Sequence, residues 1–159
     1  LTRAIVQARD YCEGWTGRTI APRTLELVAD AFDSPLIELP FGPVTGVLSV
    51  TYTGADGIAT PASYQYVDAY EAIVAPYGAV WPTVSGLPGA VRIRYEAGYG
   101  LPDESPTVNP LPEAIRGAML LLIGHYDLNR EAAAPIALGE IPLGVHALLT
   151  PYRLRRATA

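Results

Sequence analysis

Two histidines, His125 and His146, are the residues best suited to bind a metal ion or move a proton, but their spacing supports neither role. A zinc site on a helix needs two ligands four residues apart, as in HExxH, so that both rings project from one face. His125 and His146 have no such partner. Each is therefore interpreted as a surface residue or a hydrogen-bonded residue of a helix, and no metal site is predicted.

The remaining reactive residue types also lack the context that chemistry requires. The run Gly98-Tyr99-Gly100 has no lysine or helix start at the offset that a phosphate-binding loop needs. Asp103 and Glu104 lie in a proline-flanked linker, and no serine stands in a GxSxG turn. Cys12 lies on an apolar stripe, which favours an inert buried thiol. The sequence predicts no catalytic residue, no cofactor and no enzymatic activity.

Aromatic residues are the remaining candidates for binding. Ten tyrosines and two tryptophans accompany only two phenylalanines. They are suited to line a sugar or peptide groove, and equally to fill cores and interfaces. A stand-alone β-sandwich that binds a sugar or a peptide is therefore the alternative function.

Composition limits the class of protein. A chain of 159 residues, half of them hydrophobic, fits one domain with a real core, residues 1–159. The net charge of −5 argues against a protein that binds nucleic acid by neutralising phosphates. One cysteine excludes an internal disulfide, and no signal peptide or membrane span is visible. The first helix begins at Leu1 without a methionine, so we expect residues upstream.

The stretch 111–131 predicts a central helix. Apolar residues recur on one helical face, and charged residues interrupt any run long enough to span a membrane. A second stripe, which runs beside the first, predicts a contact with a partner helix or a neighbouring subunit. The first stripe is expected to meet the chain's own sheet. The second stripe consists of Gly117, Leu121, Gly124 and Leu128.

The other elements give an α+β layout, with helices at both ends packed with an inserted antiparallel β-rich block. A helix is predicted over 1–17, ending at Gly17, with Leu1, Ile5, Ala8, Cys12 and Trp15 on its core face. Residues 19–99 change to strand-like alternation and suggest a small sandwich or partial barrel. The predicted strands are 24–29, 36–39, 47–53, 64–69, 72–75 and 90–97. Helices follow over 110–150, and a basic tail over 151–159 is expected to be loosely held.

Four stretches of the sequence resemble the small head–tail connector (adaptor, or head-completion) proteins of tailed bacteriophages, prophages and gene transfer agents. They are DYCEGWTGRTI from Asp10, LIELPFGPVTGVLSVTYTGADG from Leu36, VRIRYEAGYG from Val91, and LPEAIRGAMLLLIGHYDLNRE from Leu111 with LGVHALLTPYRLRR from Leu143. Their order and spacing cover nearly the whole chain. Each motif alone is only weakly specific for this family, because the motifs are structural signatures.

The resemblance implies a non-enzymatic virion protein with helices on either side of a β-rich insertion. Such a protein forms a homo-oligomeric ring beneath the portal protein, continues the DNA channel without binding DNA specifically, and docks the next tail or stopper protein. It also implies assembly in the bacterial cytoplasm, no membrane partner and a place in the particle neck. The C-terminal region would engage the portal, through Tyr152, Arg153, Leu154, Arg155 and Arg156.

Overall fold

The computed structural model describes residues 2–100, 109–128 and 143–154. The chain divides into two compact units. The helical unit comprises Leu1–Ile20 and Tyr99–Ala159, and the strand unit comprises Ala21–Gly98. The predicted α+β fold, with a strand block between helices, is confirmed. That residues 1–159 form one domain stays a prediction.

The described residues form three α-helices and seven β-strands. In chain order these are α1 Thr2–Thr16, β1 Arg23–Ala29, β2 Leu36–Glu38, β3 Val44–Thr53, β4 Ala59–Pro61, β5 Gln65–Val67, β6 Ala72–Val74, β7 Val91–Ala97, α2 Glu113–Leu128 and α3 Leu143–Leu149. Two short 3-10 turns, Asp68–Tyr70 and Thr150–Tyr152, follow β5 and α3.

The strand unit contains two antiparallel sheets that share one core. The four-stranded sheet has the order β1-β7-β3-β4, and the three-stranded sheet has the order β2-β6-β5. Ile73 of β6 packs in the same apolar cluster as Val91 and Ile93 of β7. The two sheets are not closed into a barrel, and the predicted antiparallel β-rich block is confirmed.

Strand β7 follows the predicted alternation. Val91, Ile93 and Tyr95 are buried, whereas Arg92 and Arg94 are exposed. The Tyr95 hydroxyl donates a 2.6 Å hydrogen bond to the carbonyl oxygen of Pro40, and burial raises the pKa of Tyr95 to about 12. In a strand with one face in the core and one in solvent, apolar and polar residues alternate along the sequence. This alternation made β7 predictable.

Strand β4 has no counterpart among the predicted strands. After β3 the chain turns at Gly54–Gly57, where Gly57 N donates a 3.0 Å hydrogen bond to Gly54 O. The chain then returns as the short strand β4, which pairs with Thr51–Thr53 of β3. Three residues that end in proline carry almost no strand signal, and proline is tolerated there because β4 lies at the edge of its sheet.

Helix α1 ends as predicted, and its core face is confirmed at Ala8, Cys12 and Trp15 but not at Ile5. Gly17 has φ +70°, and its N–H donates to Glu13 O at 2.9 Å, as expected of a left-handed C-cap. The fully buried residues are Ala4, Ala8, Cys12 and Thr16. Ile5, predicted to lie in the core, is 43% exposed. The small side chains face inward because they let another helix approach closely.

The core of the helical unit is made by its three helices. Ile115, Ala118 and Leu122 of α2 are fully buried, together with Ala8 and Cys12 of α1. Val145 and Leu149 of α3 belong to the same cluster, as do Ile20 and Tyr99 outside the helices. The prediction that this face of α2 meets the sheet is wrong, because α1 and α3 supply the apolar partners. Among the described helices, none is long and apolar enough to cross a membrane.

We predict that Gly98→Ala strongly destabilises the strand unit. Gly98 follows β7 with φ +137°, and an added Cβ would lie 2.6 Å from Pro22 Cα. Backbone strain and the clash together should lower the free energy of unfolding by about 2 kcal/mol or more in urea denaturation. Gly46→Ala is the matched control, since nothing lies within 4 Å of its added Cβ. Equal stability of the two variants would contradict this account.

Candidate interaction surfaces

The exposed side of α2 is apolar where a solvent-facing helix is normally polar. We define the α2–α3 face as the exposed residues Leu120, Leu121, Gly124 and Leu128 of α2 with Leu143 and Gly144 of α3. The two helices contribute to one surface, because a Cβ added at Gly144 would lie 3.9 Å from Leu121 Cδ1. Leu128 and Leu143 are 87% and 84% exposed. An exposed apolar face of this kind is typical of an interaction surface.

The predicted second stripe of α2 lies partly on this face. Leu121, Gly124 and Leu128 are exposed, whereas Gly117 is half-buried. A Cβ added at Gly117 would lie 3.8 Å from Leu148 Cδ1, so this end of the stripe borders the chain's own α3. Nothing lies within 4 Å of a Cβ added at Gly124. The stripe therefore meets a partner helix at one end and is open at the other.

Three residues of the α2–α3 face, Leu120, Leu143 and Gly144, were not in the predicted stripe. Leu120 was not predicted because α2 is apolar around most of its circumference, so periodicity alone does not tell which leucine is covered. Leu143 and Gly144 belong to α3, whereas the stripe was predicted for α2 alone. The charged residues of α2 stand towards its ends. Glu113 and Arg116 form an ion pair at 3.0 Å in the first turn, and Asp127 lies in the last turn.

The C-terminal segment is tied to the end of α1. Leu154 N donates to Thr16 O at 2.8 Å, and Arg18 Nε donates to Tyr152 O at 2.8 Å. Tyr152 also packs against the helical core. The expectation of a loosely held tail is wrong for residues 151–154, because backbone hydrogen bonds and packing fix them. Arg155 and Arg156 lie outside the described residues.

An aromatic cluster holds α3 and the C-terminal segment against α1. His146 stacks on Trp15 with ring centroids 4.1 Å apart, and its Nε2 is 2.7 Å from the Tyr11 hydroxyl oxygen. The Arg153 guanidinium lies 5.3 Å from the centre of the Trp15 ring, in cation–π range. Trp15 thus contacts both α3 and the segment that follows it.

The described residues contain no group of three His, Cys, Asp or Glu that could hold a metal ion. Cys12 is fully buried, and burial, with a smaller contribution from Glu13, raises the pKa of its thiol to about 11. A thiol of this kind is a poor nucleophile at neutral pH. His146 is engaged with aromatic rings, and His125 makes an edge contact with Tyr126 at 5.9 Å.

Comparisons with known proteins point to one kind of particle. No protein-family model and no curated protein matches the chain. Among solved structures, a chain from the neck of a native gene transfer agent particle, computed with C12 symmetry, aligns with a TM-score of 0.74. The sequence identity is 29%, over 99% of this chain and 83% of that chain. The chain resembles a virion neck protein.

Two further solved structures give the same result. One is the neck of an empty gene transfer agent particle computed with C6 symmetry, and the other is the virion of a native gene transfer agent particle. Each aligns at a TM-score of 0.73 with 28% identity, over 99% of this chain and 78% of that chain. These likenesses support a neck-region protein of a phage or gene transfer agent.

We predict that Tyr11→Phe weakens the attachment of α3 to α1. The substitution removes the hydroxyl that is hydrogen-bonded to His146 and leaves the ring in place, so the free energy of unfolding should fall by about 1 kcal/mol. Urea denaturation measures the change. Tyr70→Phe, which alters a 66% exposed side chain, should be neutral. The role of this hydrogen bond is refuted if Tyr11→Phe is as stable as the unchanged protein.

Proposed function

We propose that the chain is a structural adaptor of a virion neck, which forms a ring between the portal and the next tail or stopper protein and continues the DNA channel. The observation that carries this proposal is the likeness of 99% of the chain to neck chains of gene transfer agent particles. The likeness extends over both units, so the proposal does not depend on one motif. Its location would be the particle neck, after assembly in the bacterial cytoplasm.

Two observations support the proposed ring, the symmetry of similar neck structures and the exposed apolar surface of this chain. Two of the similar neck structures were computed with C12 and C6 symmetry. A subunit of a closed ring covers part of its surface with its neighbours. The α2–α3 face is exposed, apolar and open at Gly124, as an intersubunit surface would be in a free subunit. We assign the open part of the stripe, Leu121, Gly124 and Leu128, to this contact, whereas Gly117 borders the chain's own α3.

The charge of the chain suits a channel wall. At −5 the subunit repels phosphates on average, so DNA can move past it without being held. Sequence-specific binding to DNA is not part of the proposed function, and neither is a cofactor or a membrane.

The portal contact is assigned to the C-terminal segment, residues 152–156. Tyr152, Arg153 and Leu154 fix the start of this segment on α1, through the contacts described above. Arg155 and Arg156 follow directly and would pair with portal carboxylates. Long charged side chains next to a fixed anchor are suited to electrostatic docking.

The alternative binding module receives little support from the tyrosines. Eight of the ten belong to or pack against the two apolar cores, which leaves Tyr70 and Tyr77 as the exposed ones. A groove lined by tyrosines would need several of them on one surface. The aromatic residues therefore act mainly in packing.

We predict that Gly124→Leu blocks ring assembly without unfolding the subunit. The new side chain would project into open space on the α2–α3 face, and leucine is a better helix former than glycine. Mass photometry should show subunits in place of rings, while the far-ultraviolet circular dichroism stays unchanged. Gly14→Leu is the matched control, since Gly14 is an exposed helical glycine of α1 with equally open space. Intact rings of Gly124→Leu would remove this face from the intersubunit contact.

We predict that replacing Arg155 and Arg156 with serine weakens portal binding and reduces its dependence on salt. The loss of two charge pairs should lower the association rate most strongly at low ionic strength. Co-purification and surface plasmon resonance with the portal protein measure the effect. The control replaces Arg3 and Arg94, two exposed arginines elsewhere, and removes the same charge. If both double variants bind the portal alike, the C-terminal segment is not the docking site.

A further inference from the structure

The loop between β6 and β7, residues 75–90, forms a second exposed apolar surface. No charged residue occurs between Glu71 and Arg92. Tyr77 is 103% exposed and Val80 is 89% exposed. These two residues, with Leu128 and Leu143 of the α2–α3 face, are the four most exposed large apolar side chains of the described residues. Two of these four side chains therefore lie on the loop and two on the α2–α3 face.

This loop is anchored at its base. Trp81 stacks on Phe32 with ring centroids 4.5 Å apart, and its Nε1 donates to Pro35 O at 3.3 Å. Ser85 N donates to Thr53 O at 2.9 Å. A loop fixed in this way loses little conformational entropy when its tip is bound.

The tip of the loop is a tight turn that presents Tyr77. Ala79 N donates to Pro76 O at 2.9 Å, and Gly78 has φ +77°, as expected at the third position of a type II turn. Tyr77 occupies the second position and projects fully into solvent. An exposed tyrosine on a preorganised turn, without charged neighbours in sequence, is a typical interface anchor.

Cyclic symmetry gives a reason to pair the α2–α3 face with the β6–β7 loop. In a ring with a single rotation axis of order above two, the contact is heterologous, so a surface on one subunit meets a different surface on the next. The α2–α3 face therefore needs a complementary surface elsewhere on the same chain. The loop tip is suited to be this complementary surface, because it is exposed and apolar. It has no charged residue that would be buried against the leucines of the face.

We propose that the tip of the β6–β7 loop of one subunit packs on the α2–α3 face of the next, with the Tyr77 ring in the recess at Gly124. Leu121 and Leu128, one turn to either side of Gly124, form the walls of this recess. The proposal rests on the ring of the proposed function. It identifies the surface on the neighbouring subunit that the α2–α3 face contacts. The occupant of the face is a second copy of this chain.

Cross-linking through engineered cysteines tests the pairing. Val80→Cys and Leu128→Cys place one thiol on each surface, while Cys12 is buried and reacts little. In the assembled protein, alone or with portal, a short bismaleimide should convert the double variant into a ladder of covalent oligomers. An equal mixture of the two single variants should stop at dimers, and each single variant alone should stay monomeric.

Two results would overturn the pairing while leaving the ring intact. One is a native-mass ring in which the double variant cross-links no more than the single variants. The other is efficient dimer formation by Leu128→Cys alone, which would indicate that the face meets itself. Absence of any assembly, with or without portal, would instead refute the ring and the pairing together.

A substitution tests the anchor. Tyr77→Ser should raise the concentration needed for assembly at least about tenfold, as expected for an interface hot spot. Tyr70→Ser, on the same unit and 66% exposed, should leave assembly unchanged. Both variants should keep the circular dichroism of the unchanged protein. Tyr77→Ser rings of normal stability would exclude Tyr77 as the anchor, and a selective loss of portal or tail binding would assign the tip to that partner.

Discussion

Close contact between α1 and α2 is the constraint on which the helical unit depends. The face that α1 buries carries alanines, a cysteine and a threonine, so the larger side chains of Ile115 and Leu122 on α2 fill the space between the helices. Large residues on the same face of α1 would hold the helices apart and leave voids beside Ala118. Ile5 and Val6 consequently lie at the surface.

The packing of the three helices also explains why one apolar side of α2 remains exposed to solvent. Helix α3 is short, and with α1 it covers one side of α2 while the opposite side keeps its leucines in solvent. A protein that worked alone would be expected to carry charged residues there. The leucines are compatible with a subunit that completes its apolar contacts only in an assembly, as a component of a virion neck does.

The predictions that succeeded depend on local sequence, and those that failed depend on partners distant in the chain. The alternation of β7 and the stop of α1 at Gly17 are encoded within a few residues. The fixed position of Leu154 depends on Thr16, which no local pattern reveals. Likewise, the apolar stripe of α2 was predictable, but the elements that pack against α2 were not. Periodicity shows which residues share a helical face, and it does not show which element covers that face.

The hydrogen bond from Tyr99 N to Ile20 O, at 3.0 Å, joins the two points at which the chain leaves the helical unit and returns to it. Because these points are adjacent, the helices close on one another whatever the length of the segment between them. Loops of the strand unit can therefore lengthen, shorten or change their sequence during evolution without altering the helical core. The surface of the strand unit can thus be remodelled while the helical scaffold stays constant.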